Sequence, residues 1–438
     1  MIFPFPLARH PIPMHPNRRH ALTRLLALGA SLGPAGSFGH EAAKAATADW
    51  STTASGRAAA DLVRTLAARV QAAQAPGLSW ALIANGQVVN MGACGHADLA
   101  TGAPMQPDSL VSTASVTKTF TGALLMREVE RGRCVLDEAA ERHLPFALRH
   151  PLHPQAPMTL RHLLTHTSGL ADDGPSYLAS YACGDPAEPL GAWLLHALHG
   201  EAAQAKPPFH ADAPGRRHAY SNVGYGLLGL VLERLHGRPF ADVLRAELLD
   251  PLGMPLSFML LRNMPSEAMA QRTLATPYER LDNRNPWPRL VDRLAKGEPL
   301  PMPSGGDRQQ ALCNYGFPTL ADGLLRSSAM ELSRFALALL HGGELDGRRV
   351  LRAETIAQMF SDQLGALPPD ARPTRYQQGL TWRGLGEGIW AHFGSDPGTA
   401  AALAVRQQDG RGLVMLSNSV GARPLMGQLV MAWMTARV

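Results

Sequence analysis

The two ends of the chain carry mirror-image patterns, and this limits the fold more than any other feature. Near the start, a helical stretch spans 58–74 and is closed by Pro76. Two short strand patterns follow at 78–84 and 87–91, joined by Asn85-Gly86, a pair that tolerates the left-handed backbone a two-residue hairpin needs. Near the end, strand patterns at 379–383 and 388–392 precede a hairpin of 400–405 with 412–417, turning near Asp409-Gly410. An apolar helix at 425–435 closes the chain. Helix-then-strands at one end and strands-then-helix at the other predict one α/β (α+β) lobe with an antiparallel sheet, drawn from about 50–107 and 344–438.

The middle, about 108–343, alternates helical patterns with Pro- and Gly-rich loops and predicts a mostly helical lobe. Thr159 is placed to cap a short helix, 225–235 reads as a helix ending near Gly237, and 330–340 as another ending at Gly342-Gly343. Between about 256 and 318 the sequence is irregular, rich in Pro, Arg and Met; so long a connection is usually functional or flexible.

At 438 residues and 45% apolar content, the chain can bury a large core. Its formal charge of +5 comes from scattered basic residues with no long run, and only 6% of residues are aromatic. That describes a mildly basic surface rather than a nucleic-acid partner. No segment reaches the roughly 18 apolar residues that suggest a transmembrane helix. The first 45 residues read as an export signal: Arg18-Arg19 forms a twin arginine, a modest apolar segment spans 25–38, and Ala43-Lys44-Ala45 offers a cut after Ala45. Met14 is an alternative start, because a Pro-rich stretch precedes it. The signal resembles the twin-arginine type, which implies a bacterial, periplasmic protein, with the remaining residues, 46–438, expected to form a single domain. Cys94, Cys134, Cys183 and Cys313 form no C-x-x-C, so a zinc or redox motif is not indicated. Export permits disulfides, and Cys183 with Cys313, both in loop-rich segments, is the expected pair.

One lysine stands out chemically. The chain holds 41 Lys and Arg, of which only four, Lys44, Lys118, Lys206 and Lys296, are lysines. Arginine does not surrender its proton in a protein, whereas lysine can. Lys118 follows Ser115 by three residues at the head of an apolar run containing Phe120, Leu124, Leu125 and Val129 and ending at Gly132. On a helix, positions three apart share a face, and the first turn disfavours an ammonium through the helix dipole. Lys118 is thus a candidate base for the Ser115 hydroxyl, with the S-x-x-K spacing of β-lactamases and penicillin-binding proteins.

Further segments extend that likeness. Thr159-Leu160-Arg161-His162-Leu163-Leu164-Thr165-His166-Thr167-Ser168-Gly169-Leu170 resembles the T-h-R-H-L-L-T-H-T-S-G-L block of class C β-lactamase-like serine hydrolases. That family includes D-alanyl-D-alanine carboxypeptidases, D-aminopeptidases and serine esterases. Tyr220-Ser221-Asn222 resembles its Y-x-N motif, and Pro251-Leu252-Gly253-Met254 its P-L-G-M segment. The stretches 323–332 and 342–347 are similar to two further family segments, with Glu331 in place of the usual Asp. His392-Phe393-Gly394-Ser395 stands where the family carries K-T-G or H-x-G. The resemblance spans about 58–437 in the family's order.

It implies a β-lactamase/penicillin-binding-protein-like transpeptidase fold and acyl transfer without a cofactor. Ser115 would be the nucleophile, activated either by neutral Lys118 or by Tyr220 as phenolate. Asn222 would meet a substrate carbonyl or Lys118, and the N–H groups of Ser115 and Ser395 would form an oxyanion hole, with Gly394 permitting close approach. The expected partner is a small molecule or peptide with an amide, lactam or ester carbonyl. A histidine at 392 is mostly neutral near pH 7 and suits a substrate carboxylate less than lysine would. That shifts the expectation from a true β-lactamase toward an esterase or peptidase. A penicillin-binding D,D-peptidase and a non-catalytic binding module with this fold remain alternatives.

Two signals are set aside. Gly29-Ala30-Ser31-Leu32-Gly33 matches G-x-S-x-G but lies within the export segment and follows no strand. His162 and His166 stand four apart, on one face if helical, but lack the Glu of H-E-x-x-H and a third ligand, so packing or hydrogen bonding is expected rather than metal.

Overall fold

A computed structural model describes residues 53–172, 175–271, 273–280, 288–295 and 309–436. The first 45 residues, where an export signal is expected, and parts of the irregular 256–318 region lie outside the described residues. The chain order relevant to the site is α1 (Ala54–Ala72), β1 (Gly77–Ala84), β2 (Gln87–Asp98), β3 (Ala103–Pro104), α2 (Thr117–Glu130), α3 (Leu160–Leu164), α4 (Asn222–His236) and α5 (Ala329–Leu340). It continues with β4 (Gln377–Gln378), β5 (Arg383–Gly384), β6 (Trp390–Asp396), β7 (Thr399–Arg406), β8 (Arg411–Ser417) and α6 (Arg423–Met434).

The strands from both ends form one eight-stranded sheet in the order β4-β5-β6-β7-β8-β1-β2-β3. The ladders linking these strands are all antiparallel. The junction between the two ends is β1 against β8, from Leu78 opposite Ser417 to Ile83 opposite Gly412. β1 is buried along its whole length because both faces are covered. Leu78, Trp80 and Leu82 pack with Leu66 and Val70 of α1 and Leu429 and Trp433 of α6, whereas Ala81 and Ile83 face the core containing Leu332, Phe335 and Leu339 of α5. That is the period-two alternation of a strand, with both sides apolar. The α/β class with an antiparallel sheet flanked by helices, expected from the sequence, is what the structure shows.

The Asn85-Gly86 turn forms as its residues suggest, with φ of 51° and 68°. The strand expected at 379–383 does not. Thr381 has φ of 78°, which interrupts the extended backbone. Gly379 lies so close to Met359 that a Cβ there would sit 2.3 Å from its carbonyl oxygen. Only the short β4 and β5 flank this kink, and the strand expected at 388–392 runs later, as β6. The expected helices are present with shifted ends; the first, for example, begins at Ala54 under a Thr53 cap.

Helix α2 is buried around almost its whole circumference, Lys118, Thr119 and Thr121 included, and Phe120 stacks on Phe335 of α5 with ring centroids 4.1 Å apart. Glu331, the departure from the family's Asp, is buried at the start of α5. It accepts from the Leu256 N–H at 2.8 Å and the Ser257 hydroxyl at 2.5 Å, tying the irregular segment to this helix. Among the described residues no helix is long and apolar enough to cross a membrane.

Cys183 and Cys313 form a disulfide across a sequence separation of 130 residues, while Cys94 and Cys134 are free thiols. Closing so long a loop restricts the unfolded chain. Replacing both cysteines with serine should cost about 2–5 kcal/mol of stability in urea unfolding. An unchanged midpoint would mean that the bond constrains nothing that packing does not already hold.

Candidate active site

Ser115 lies on a short 3-10 turn, Ala114–Val116, that leads into α2, with Lys118 in the first turn of that helix. Ala114 has φ of 45°, an unusual conformation for a residue with a Cβ. The turn is held in place from outside. Thr113 donates its N–H to the Leu325 carbonyl at 2.8 Å, and the Thr117 hydroxyl accepts from the Leu325 N–H at 3.1 Å.

Lys118 is completely buried. Its Nζ lies 3.2 Å from Ser115 Oγ, 2.6 Å from Asn222 Oδ1 and 2.7 Å from the Asp322 carbonyl oxygen. The Tyr220 hydroxyl lies 2.9 Å from Ser115 Oγ, and the Lys118 Nζ is 5.1 Å from the centre of the Tyr220 ring. Two proton arrangements fit these contacts with the same number of protons. In one, a neutral amine donates to Asn222 and Asp322 and accepts the Ser115 proton, while the Tyr220 phenol donates to Ser115. In the other, an ammonium donates to all three oxygens and Ser115 donates to a Tyr220 phenolate.

Tyr220 and Asn222 are fixed by Asp172, to which no sequence motif pointed, and by His166. Asp172 accepts from the Asn222 N–H at 2.6 Å, the Val223 N–H at 3.1 Å and the Ser221 hydroxyl at 3.0 Å, satisfying orphan donors at the start of α4. Burial pushes its carboxyl above the ordinary range in spite of those donors. His166 stacks on Tyr220 with centroids 4.2 Å apart, and its Nδ1 accepts from the Ser221 N–H at 3.1 Å. His166 and His162 do not share a helix face as their spacing suggested. The helix ends at Leu164, and His166 has φ of 56°. His162 instead completes the Thr159 capping box, accepting from the Thr159 N–H at 3.2 Å. Among the described residues, no group of three or more His, Cys, Asp or Glu is arranged to hold a metal ion.

His392, Gly394 and Ser395 lie on β6, which packs against the nucleophile turn. A Cβ on Gly394 would stand 2.3 Å from the Thr113 carbonyl oxygen and 3.1 Å from the Ala114 Cβ, so only glycine lets the strand come this close. Ser395 is half-buried, and its hydroxyl has no partner among the described residues. His392 is fully buried, and burial first, then the nearby Arg383 and Lys118 charges, push its imidazole well below the usual histidine range. It therefore adds no positive charge. Behind the turn, Asp322 and Asp396 are each pushed up by burial to about 7; Tyr177 donates to Asp322 at 2.9 Å and Tyr181 to Asp396 at 3.0 Å.

A model of the Beta-lactamase family matches residues 62–430. The chain belongs to the Beta-lactamase family. Protein Rv1367c of Mycobacterium tuberculosis is 30% identical over 328 residues, covering 70% of this chain and 72% of that protein. Esterase EstB of Burkholderia gladioli is 32% identical, over 50% of this chain and 53% of its own length. The D-alanyl-D-alanine-carboxypeptidase/endopeptidase AmpH of Escherichia coli is 30% identical, over 34% and 36%. In fold, the chain resembles the D-amino acid amidase of Ochrobactrum anthropi, with a TM-score of 0.66, 23% identity and coverage of 86% and 98%.

Two outcomes follow from this geometry. Gly394→Ala should destabilise the protein by about 1–3 kcal/mol in urea unfolding, because the clash is with backbone; a cost below the error of the fit would contradict the close approach. Burial also pushes His218, half-buried beside this site, down to about 4. The unfolded chain therefore takes up a proton near pH 6.5 that the folded chain refuses until about pH 4. Stability should fall as pH drops through that window, and His218→Asn should flatten the wild-type slope in pH-dependent urea melts.

Proposed function

We propose that the protein is a serine hydrolase that cleaves an amide or ester bond through an acyl-enzyme on Ser115. The observation that carries this reading is the Ser115 hydroxyl held between Lys118 Nζ at 3.2 Å and the Tyr220 hydroxyl at 2.9 Å. A serine hydroxyl attacks a carbonyl only when a neighbour removes its proton, and both neighbours here can exchange one.

In this mechanism the Ser115 proton moves to Lys118 or to Tyr220 as Oγ bonds to the substrate carbonyl carbon. The N–H groups of Ser115 and Ser395 would face the oxygen that gains charge. Tyr220 then returns the proton to the departing nitrogen or oxygen as its bond to carbon breaks. Water attacks the acyl-enzyme, its proton passing to the same pair, and Ser115 leaves with a proton restored. Asn222 uses its carbonyl oxygen on Lys118, which leaves its amide N–H groups for a substrate carbonyl. The names of EstB and AmpH, an esterase and a D-alanyl-D-alanine carboxypeptidase, support both bond types. The neutral, enclosed His392 weighs against a true β-lactamase that relies on a cation at that position. Export to a bacterial periplasm is part of the same proposal.

The test is turnover of a short-chain nitrophenyl ester, a D-alanyl-D-alanine peptide and a chromogenic cephalosporin by wild type and Ser115→Ala. Ester or peptide turnover that falls at least about a thousandfold in Ser115→Ala is expected. Cephalosporin as the best substrate would make the protein a β-lactamase, and a lasting cephalosporin adduct a penicillin-binding peptidase. Activity equal in both proteins would overturn the reading. Lys118→Ala and Tyr220→Phe should each lower kcat by about a hundredfold or more, since each removes one end of the proton pair; a variant near wild-type rates would remove that residue from the mechanism.

A further inference from the structure

The side chains of the two acids behind the nucleophile turn have no part in the reaction as proposed. Asp322 is buried and Asp396 half-buried, and a Cβ on Gly323, next to Asp322, would stand 3.6 Å from Asp396 Oδ2. Asp322 belongs to the turn whose carbonyl holds Lys118 at 2.7 Å, and Asp396 follows Ser395 on β6. Hydroxyls join the two. Asp322 Oδ2 lies 2.9 Å from the Tyr177 hydroxyl and 3.0 Å from that of Thr319. The Tyr177 and Tyr181 hydroxyls stand 3.4 Å apart, and the Tyr181 hydroxyl lies 3.0 Å from Asp396 Oδ1. Phe317 stacks on Tyr181 with ring centroids 4.5 Å apart, which gives this chain an apolar cover.

Counting protons limits how the chain can be filled. Each tyrosine hydroxyl has one proton to give. If both acids are ionised, the tyrosines donate outward and nothing lies between their oxygens. If both are protonated, one tyrosine proton finds no acceptor in the chain. With one proton, three donors fill three contacts: Asp396 to Tyr181, Tyr181 to Tyr177 and Tyr177 to Asp322, or the reverse. Burial raises both acids to about 7, so such a proton persists near neutral pH.

We infer that Asp322 and Asp396 act as one acid pair that shares a single proton through Tyr177 and Tyr181, and that its remaining charge is the buried counter-charge of Lys118. The inference deepens the proposed reaction and takes its role from it: the pair acts on Ser115 through Lys118, so both acids are positioning residues. Lys118 is the cation acting on both carboxyls, and Asp172 and Tyr315 are the further ionisable groups facing them. The charge is favoured on Asp322, whose carbonyl already holds the amine. The proton is favoured on Asp396, beside the Ser395 N–H that would face the oxyanion. The pair thereby sets how readily Lys118 gives up its proton.

With only four lysines in the chain, Lys118 can be read directly by NMR. In protein labelled with carbon-13 at lysine Cε, the Lys118 signal is the one lost in Lys118→Ala. Its titration is followed in wild type, Asp322→Asn, Asp396→Asn and the double variant. The double variant should lower the Lys118 midpoint by about one pH unit or more, a tenfold change, because the counter-charge is gone. The two single shifts should sum to well under that, because the remaining acid, freed from its like-charged neighbour, ionises and keeps one charge in place. An unmoved midpoint in the double variant, or single shifts that add up to the double, would overturn the inference. If the double variant fails to fold, wild type labelled at aspartate Cγ decides. The two carboxyl signals lost in the single variants should then titrate in two steps more than about one unit apart; one step carrying both protons would overturn the sharing. None of these readings needs turnover. If the shifts appear and no ester is hydrolysed, the acid pair stands and the hydrolase reading fails. Where esters turn over, the rising limb of kcat/KM against pH should move with the Lys118 midpoint, and a limb that stays in place would remove the pair from the reaction.

Discussion

Lys118 sits wholly inside the protein, where a charged amine is costly unless every proton meets an acceptor. Three oxygens from three separate parts of the chain meet it: the Ser115 hydroxyl, the Asn222 amide and the Asp322 carbonyl. Each oxygen must be delivered by its own element. The 3-10 turn Ala114–Val116 and the α2 helix that follows it bring Ser115 and Lys118 together, α4 presents Asn222, and a second 3-10 turn, Leu320–Asp322, directs the Asp322 carbonyl inward. Asp172 and His166 exist in the same logic one layer out, clamping the start of α4 so that Tyr220 and Asn222 keep their positions. Removing any of these supports moves an oxygen away from a buried nitrogen.

The sheet supplies the other wall. β6 can lie against the nucleophile turn only because Gly394 has no side chain, and that contact is backed by β7 and β8 and, through β1, by the opposite end of the chain. A site assembled from residues 115, 220 and 394 is therefore only as well defined as the β1–β8 pairing that joins the two termini. This explains why so small a set of polar groups depends on so large an apolar core.

Much of this was legible in the sequence because local chemistry announces it. Asn85-Gly86 forms its turn, Thr159 caps its helix, and Ser115 and Lys118 meet because three residues make most of a helical turn. The motif order that resembles the family also located Tyr220 and Asn222, which no local pattern would have joined to Ser115. What stayed hidden depends on tertiary placement. Asp172 serves α4 from fifty residues away, and Asp322 contributes a backbone oxygen, which leaves no mark on residue identity. His166 looked like a second helical histidine until the backbone turned left-handed after Leu164.

The most direct measurement of the central claim is the position of the covalent intermediate. Wild-type protein would be mixed with an aryl ester, quenched in acid within seconds, digested and mapped by mass spectrometry. The account predicts an acyl mass on the peptide containing Ser115, absent when Lys118 is replaced by alanine. An acyl group on any other residue, or a Ser115 adduct that forms equally fast without Lys118, would contradict it.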